Sequence, residues 1–295
     1  MSQQHSEWIR ISSGELSAQI DPQGAQLSAL IDAAGHDLLW NGDPSVWTGR
    51  APLLFPIVGA LAGGSYRIGG HSYALPRHGF ARTSRFRVMQ ATAASAVFRL
   101  EADEVSRRIY PFEFALDMHF ELAGPTLSLT AWVRNLGQGQ MPASFGYHPA
   151  LRWPLPFGQP REAHYIEFAS DEPAPVRRLG PDGLLLPERQ PTPIAGRRLL
   201  LADSLFRGDV VIFDDIRSRS VTYGAQSGPR IRVGFPDAPY LGIWTRPGAP
   251  FICIEPWHGI ADPQGYSGDF TAKPGVFSVA AGAAMAIQMT LSLLT

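Results

Sequence analysis

The chain has 295 residues, of which 45% are hydrophobic and 17% are charged, and its formal net charge is −1. This composition excludes a disordered chain, and the absence of a basic stretch argues against nucleic acid as a partner. The apolar run at residues 276–285 is far shorter than the roughly 20 residues of a membrane-spanning helix, so we expect no membrane association.

The first third of the chain shows the short alternating patterns of β-strands. Segments 8–11, 16–20 and 25–30 predict an N-terminal meander, because each is a short run rich in apolar residues. Segments 66–68 and 71–73 flank Gly69-Gly70, which predicts a tight hairpin.

The middle of the chain contains the clearest alternation. In residues 112–122 every second residue is Phe, Leu or Met, and the residues between them are mostly polar. Gly124-Pro125 then separates this run from a second alternating run at 127–133. The pattern predicts a long hairpin over residues 112–134.

The second half continues with strand-like segments at 210–213, 220–223, 230–233 and 240–244. Because 30 Gly and 26 Pro interrupt the chain, helices should be few and short, and we predict an all-β sandwich. Residues 173–198 are rich in Pro, Arg and Gly and predict a long loop. Since composition does not change on either side of this loop, we predict one domain over residues 1–295.

Three short islands supply the residues that suit acid–base chemistry. His78 lies in Leu75–Arg82, His148 in Phe145–Ala150 and Glu255 in Phe251–His258, and each is bracketed by Gly, Pro or aromatic residues. A strand-end carboxyl in an apolar run, as at Glu255, is expected to have a raised pKa, which makes it a plausible base. The sequence lacks a Gly-x-Ser-x-Gly elbow, a phosphate-binding glycine loop and compact metal-ligand spacing.

Four motifs together resemble the aldose 1-epimerase (mutarotase) family. They are Arg-Ala-Pro-Leu-Leu-Phe-Pro-Ile-Val-Gly at 50–59, Pro-Arg-His-Gly-Phe-Ala-Arg at 76–82, Gly-Tyr-His-Pro at 146–149 and Ile-Glu-Pro-Trp at 254–257. The resemblance covers roughly residues 10–292, and the first two motifs are similar to those of a bacterial subgroup. It implies a single large β-supersandwich, galactose mutarotase-like, with a cleft that binds a pyranose.

The family resemblance also implies roles for individual residues. Glu255 corresponds to the base that removes the C1 hydroxyl proton, and His148 to the acid that protonates the ring oxygen. His78 corresponds to a sugar-binding histidine, Arg50 to a sugar-contacting arginine, and Asp209 to a carboxylate that grips ring hydroxyls. Trp257 or Tyr147 is expected to lie against the apolar face of the sugar.

The predicted reaction is the interconversion of the α and β anomers of a hexose or hexose phosphate, with no cofactor and no metal. Four basic residues could contact a phosphate: Arg77, Arg82, Arg152 and Lys273. The sequence makes no prediction of the oligomeric state.

Two other function classes stay open at this stage. One is a carbohydrate-binding or sensor protein on the same fold, and the other is a glycoside hydrolase that pairs Glu255 with Asp237 or Asp209.

Cys253, the single cysteine, excludes an intrachain disulfide and fits a reducing compartment. Because residues 1–7 show no basic stretch followed by an apolar one, we predict a cytoplasmic protein.

Overall fold

A computed structural model describes residues 8–295, and these residues are dominated by β-strands. The strands are, in chain order, β1 (Ile9–Ser12), β2 (Leu16–Asp21), β3 (Gln26–Asp32), β4 (Leu53–Leu54), β5 (Ser65–Ile68), β6 (His71–Ala74), β7 (Arg87–Ala91), β8 (Ser95–Glu101), β9 (Phe114–Ala123), β10 (Thr126–Asn135), β11 (Met141–Ala143), β12 (Phe145–Tyr147), β13 (Ala150–Arg152), β14 (Tyr165–Phe168), β15 (Arg198–Leu200), β16 (Val211–Phe213), β17 (Ser220–Gly224), β18 (Arg230–Gly234), β19 (Tyr240–Trp244), β20 (Phe251–His258), β21 (Phe277–Val279) and β22 (Ala284–Leu294).

Helical structure is limited to short pieces, as the glycine and proline content predicts. The described residues contain one six-residue α-helix, α1 (Glu104–Ile109), which Asp103 caps by accepting a hydrogen bond from the Ser106 backbone N–H. Single 3₁₀ turns occupy Ala62–Gly64, Ala81–Thr83, Arg161–Ala163, Asp203–Phe206 and Phe270–Ala272. No helix in residues 8–295 is long and apolar enough to cross a membrane.

The two largest sheets have nine and six strands. The nine-stranded sheet has the order β15-β14-β17-β18-β22-β10-β9-β8-β7, and the six-stranded sheet has the order β16-β19-β20-β12-β4 with β13 also paired to β20. A three-stranded sheet, β1-β2-β3, and the pairs β5-β6 and β11-β21 complete the set. All these strand pairs are antiparallel.

The predicted all-β fold and its hairpins are confirmed. The hairpin expected over residues 112–134 is β9-β10, in which Ala123 pairs with Thr126 across the turn. The hairpin expected around Gly69-Gly70 is β5-β6, and the N-terminal meander is β1-β2-β3. The loop at residues 173–198 contains isolated bridges but no strand before β15.

One hydrophobic core receives side chains from the three largest sheets. Phe120 on β9, Ile254 on β20 and Leu27 on β3 all belong to it and are almost fully buried. Tyr147 links two sheets directly, because its hydroxyl lies 2.9 Å from the Ile287 carbonyl of β22 and 3.2 Å from the Leu129 carbonyl of β10. The six-stranded sheet is therefore fixed on one face by this core, and its other face is left for the cavity described below.

Two glycines make room for the Trp257 side chain on that second face. A Cβ at Gly242 would lie 2.5 Å from Trp257 Cη2, and a Cβ at Gly146 would lie 2.7 Å from Trp257 Cδ1. Both distances are below any that packed carbon atoms accept, so the indole is clamped between the backbones of β19 and β12.

We expect Gly242→Ala to lower the free energy of unfolding by about 1–3 kcal/mol, because the added methyl group overpacks the clamp. Urea unfolding measures the change. The control is Gly139→Ala, in an exposed turn where a Cβ would meet no atom within 4 Å. Equal effects of the two substitutions would show that the indole is not clamped.

Candidate functional site

The candidate site is built on β20, the strand that pairs with both β19 and the β12/β13 segments. All eight residues of β20 are buried. Ile252 and Ile254 point into the main core, whereas Cys253, Glu255 and Trp257 alternate onto the opposite face. The fold therefore buries a carboxyl group, with Glu255 only 1% exposed, beside the cavity.

The register of the neighbouring strands brings His148 opposite Glu255. Gly146 pairs with Trp257 on one side of the gap between β12 and β13, and Ala150 pairs with Cys253 on the other. His148 lies midway between these two pairs. Its Nε2 is 3.1 Å from Glu255 Oε2, so two residues 107 positions apart become cross-strand neighbours.

Burial controls the protonation of this pair. It raises the pKa of Glu255 well above its usual value, with the Asp209 charge acting in the same direction and the Arg77 charge in the opposite one. Burial also lowers the pKa of His148 to about 3. Both shifts favour the uncharged forms, a protonated carboxyl group and a neutral imidazole, so the favoured state of the pair holds one proton, on Glu255, and carries no net charge.

His78 enters the same cavity with a defined tautomer. The Gly59 backbone N–H donates to His78 Nδ1 at 3.1 Å, and the His78 backbone N–H donates to the Gly59 carbonyl at 2.9 Å. Burial, assisted by His148, Arg77 and Arg82, lowers the pKa of His78 well below its ordinary value. His78 is therefore a neutral imidazole whose Nε2–H is the ring donor available to a ligand.

Gly59 is required for this arrangement. Its φ is +78°, and a Cβ at this position would lie 2.5 Å from the Ala261 Cβ. A side chain here would push away the backbone that fixes the His78 tautomer.

Left-handed backbone conformations position two of the polar side chains. Among non-glycine residues 8–295, positive φ occurs at Ala25, His78 and Asp209, and the last two line the cavity. Such conformations are unfavourable for residues with a Cβ and are concentrated at functional sites. At Asp209 one carboxylate oxygen accepts from the Val210 N–H, and the other lies 3.7 Å from Arg77 Nη2.

The cavity has a volume of about 280 Å³, which suits one small ligand such as a single sugar ring. Its walls combine acid–base groups, cations, three indoles and aliphatic side chains. The lining residues with the clearest chemistry are His78, His148, Asp209, Glu255, Arg77, Arg82, Arg246, Trp47, Trp244 and Trp257.

Five of the seven residues predicted from the sequence thus meet at one cavity: Glu255, His148, His78, Asp209 and Trp257. Arg50 lies elsewhere, because its Nη1 donates to the Ser28 carbonyl at 2.7 Å and its guanidinium stacks on Trp8. Tyr147 lies on the core side of its strand, since residues 146 and 148 face the cavity. Neither of these two side chains is among those that line the cavity.

Sequence reasoning missed two tryptophans. The Trp47 ring lies 5.3 Å from the His148 ring and the Trp244 ring 5.9 Å from it, measured between centroids. Trp47 comes from a loop before β4 and Trp244 from the end of β19, so no local pattern connects them. The only local signal was the apolar, strand-like pattern of residues 240–244, which Trp244 ends.

The described residues contain one cluster with the donor types of a metal site: His148, Cys253 and Glu255, whose donor atoms lie within 4.8 Å of one another. Two of these three donors have to lose a proton before they bind a metal. Burial raises the pKa of the Cys253 thiol and of the Glu255 carboxyl, which opposes that loss. Cys253 itself packs with Trp40 and Phe251 in a buried hydrophobic cluster.

Comparisons with known proteins give one family model and two relatives of similar length. The family model described as Aldose 1-epimerase matches residues 7–269. Two LacX proteins of Lactococcus lactis subsp. lactis, one chromosomal and one plasmid-borne, are each 33% identical over 281 residues, which is 92% of this chain and 94% of theirs.

Solved structures show the same fold. A galactose mutarotase related enzyme from Lactobacillus acidophilus superposes with a TM-score of 0.90 at 29% identity, covering 98% of this chain and 97% of that one. A galactose mutarotase-like protein from Lactobacillus casei ATCC 334 gives a TM-score of 0.90 at 28% identity, over 97% of this chain and all of that one.

Burial of His258 at the end of β20 makes stability depend on pH. Burial lowers its pKa to about 4, so between pH 6.5 and 4 the unfolded chain binds more protons at this position than the folded one. This contribution to stability is present above pH 6.5 and is lost as the pH falls towards 4. We expect the difference in unfolding free energy between pH 7 and pH 4.5 to be about 2 kcal/mol smaller in His258→Gln than in the wild type.

Urea unfolding at pH 4.5, 5.5, 7 and 8 tests this expectation. The measurements at pH 7 and pH 8 are the control, because His258 is then neutral in the folded state and mostly neutral in the unfolded state. If the unfolding free energies of the wild type and of His258→Gln fell equally below pH 6.5, His258 would be protonated as easily in the folded chain as in the unfolded one.

Proposed function

Because this chain belongs to the aldose 1-epimerase family, we propose that its cavity binds an aldohexose pyranose and interconverts the α and β anomers. The observation that carries the proposal is the buried contact between His148 Nε2 and Glu255 Oε2 at 3.1 Å. Mutarotation needs a base at the C1 hydroxyl and an acid at the ring oxygen, and this pair can supply both.

The pair has the proton content that the reaction requires. Burial favours the proton on Glu255, and a sugar must present a polar environment before the carboxylate–imidazolium form becomes accessible. Movement of that one proton from Glu255 to His148 makes Glu255 the base and His148 the acid. Glu255 then takes the proton of the C1 hydroxyl while His148 delivers one to the ring oxygen.

Ring opening follows from these two transfers. The C1–ring oxygen bond breaks, the aldehyde carbon rotates, and the ring closes on the other face with the proton transfers reversed. No atom is gained or lost, and the site returns to its one-proton form, so the cycle needs no cofactor.

The remaining polar groups suit substrate positioning. His78 presents an Nε2–H donor, and Asp209 presents an acceptor next to the Arg77 guanidinium. Trp47, Trp244 and Trp257 offer apolar surfaces against which the C–H face of a pyranose can lie.

A sensor function and glycoside hydrolysis are less well supported. Hydrolysis needs two carboxyl groups on either side of the bond, and Asp237 does not line the cavity. Asp209 does, but the group paired with Glu255 is an imidazole. Release of nitrophenol from nitrophenyl glycosides would support a hydrolase, and sugar binding without anomer exchange would support a sensor.

We expect Glu255→Gln to lower the rate of anomer exchange by about two to four orders of magnitude, because the base is lost while the shape is kept. His148→Asn should cause a similar loss, and the double variant should be little worse than either single one, since the pair works as a unit. NMR exchange between anomeric signals of the sugar measures the rate, corrected for the uncatalysed reaction.

Glu172→Gln is the matched control for this experiment. Glu172 is also buried, but its carboxylate accepts from the Arg217 and Ser218 backbone N–H groups, away from the cavity. It should lose stability and keep its exchange rate. A folded Glu255→Gln protein with more than about half of the wild-type rate would remove Glu255 from the mechanism.

The pH dependence follows from the one-proton form of the pair. Activity is lost at low pH when His148, with a pKa of about 3, takes a second proton, and at high pH when the raised pKa of Glu255 is passed. We expect the acid limb of kcat/KM to lie near pH 3 and the alkaline limb to lie well above the pH at which a solvent-exposed carboxyl group titrates. Exchange rates across this range test the assignment, and an acid limb near pH 6.5 would mean that His148 titrates as it does in water.

A further inference from the structure

A buried ion pair between Lys273 and Asp262 takes no part in the acid–base chemistry assigned above. The Lys273 side chain is 1% exposed, and its Nζ lies 2.9 Å from Asp262 Oδ1, at angles that do not make a hydrogen bond. Neither side chain lines the cavity of the candidate site. Because desolvation offsets much of the attraction in such a pair, stability alone does not account for it.

Asp262 uses each of its polar groups to hold a neighbouring segment. Its Oδ2 accepts from the Ala62 backbone N–H at 2.8 Å, and its own backbone N–H donates to the Ala60 carbonyl at 2.9 Å. Its backbone carbonyl accepts from the Leu185 N–H at 2.8 Å. Since Oδ1 lies against the ammonium group, Asp262 joins three separate segments of the chain.

Residues 60–62 follow directly after Gly59, the residue that fixes His78. The Gly59 N–H donates to His78 Nδ1 at 3.1 Å, and the Gly59 carbonyl accepts from the His78 N–H at 2.9 Å. Gly59 also packs against the residue before Asp262, because a Cβ on Gly59 would lie 2.6 Å from the Ala261 Cα. The Asp262 segment thus supports Gly59 both by direct packing and through the residues that follow Gly59.

We propose that Asp262, held by Lys273, is a positioning residue that sets the tautomer of His78. Without this clamp the Gly59 N–H would no longer be aimed at His78 Nδ1. His78 would then exchange between its two neutral tautomers and present an Nε2–H donor for only part of the time. The proposal rests on the mutarotase function argued above, in which His78 binds the sugar, and it gives the clamp an effect on substrate binding.

A second cavity, of about 190 Å³, borders the ion pair and allows it to be broken in a folded protein. Its lining includes Asp262, Lys273 and the hydroxyl-bearing residues Tyr66, Ser72 and Tyr266. A polar cavity of this size admits water, which can solvate the Asp262 carboxylate once the ammonium group is gone. We therefore expect Lys273→Met to lose stability and still fold.

Ala62→Pro breaks the clamp and leaves the ion pair in place. It removes only the N–H that donates to Asp262 Oδ2. Ala62 is the first residue of a 3₁₀ turn, where proline is accepted, and Leu61 before it is already extended, with φ −102° and ψ 146°. This variant tests the proposal even if Lys273→Met does not fold.

NMR of the imidazole nitrogens measures the tautomer of His78 without any sugar. Proton–nitrogen correlation spectra at about pH 8, where exposed histidines are neutral, distinguish the two tautomers. Comparison with His78→Gln identifies the His78 signals. The wild type should show a single Nε2–H form, whereas Lys273→Met and Ala62→Pro should both show exchange between the two tautomers.

Anomer exchange of glucose and of galactose gives the kinetic measurement. Because His78 contributes one hydrogen bond to the sugar, both variants should raise KM by about tenfold and change kcat by less than about threefold. Asp117→Asn is the matched control, because Asp117 is a similarly buried carboxylate that pairs with Arg99 and Arg134 away from the cavity. It should lose stability and keep the wild-type KM and His78 spectrum.

The outcomes separate the positioning role from the proposed function. Folded variants with a single Nε2–H form and a wild-type KM would overturn the positioning role and leave the mutarotase function standing. Tautomer exchange in both variants, together with no anomer exchange by the wild type, would support the positioning role and overturn the mutarotase function. A fall in kcat with an unchanged KM would place the clamp in proton transfer and overturn the role assigned here.

Discussion

The contact between His148 and Glu255 depends on strand register. β12 and β13 are two short segments that pair with the same strand, β20, and the gap between them contains His148 and Pro149. Because pairing resumes in the same register after the gap, His148 is held opposite Glu255. A shift of one residue would turn Glu255 into the core beside Ile252, since side chains alternate along a strand.

Burial gives this contact its chemistry. In water a carboxyl group and an imidazole would carry opposite charges near neutral pH, and each would be surrounded by solvent. At the centre of a sheet both groups favour their neutral forms, so one proton is shared by two groups with opposing preferences. The core under the sheet sustains this arrangement, because Ile252 and Ile254 fix β20 from the opposite face.

The loops around the six-stranded sheet supply cavity-lining side chains that its strands do not. His78 and Asp209 lie outside strands, in left-handed backbone conformations that turn their side chains towards β20. Gly59 fixes the tautomer of His78, and the loop at residues 173–198 contributes Leu179 to the wall. The arginines come from the same kind of segment, so the sheet provides the acid–base pair and the loops provide the recognition.

The sequence by itself determined the N-terminal meander, the two hairpins, the strands between residues 210 and 244, the scarcity of helices and the residues with acid–base potential, because alternation, turn residues and polar groups in apolar runs are local signals. It did not predict β7, β8 or β22 of the nine-stranded sheet. Side-chain alternation along a strand puts Glu255 and Cys253 on one side of β20 and Ile252 and Ile254 on the other, which is the arrangement in the structure. What only the tertiary structure decided is which side chains meet. Tyr147 and Arg50 sit in motifs as distinctive as that of His148, yet they do not line the cavity. Trp47 and Arg246 reach the cavity from segments in which the sequence predicts no strand, and Trp244 reaches it from the end of a predicted strand. The physical reason is that a cavity is formed by long-range strand pairing and loop packing, and neither of these produces a periodic pattern in the sequence.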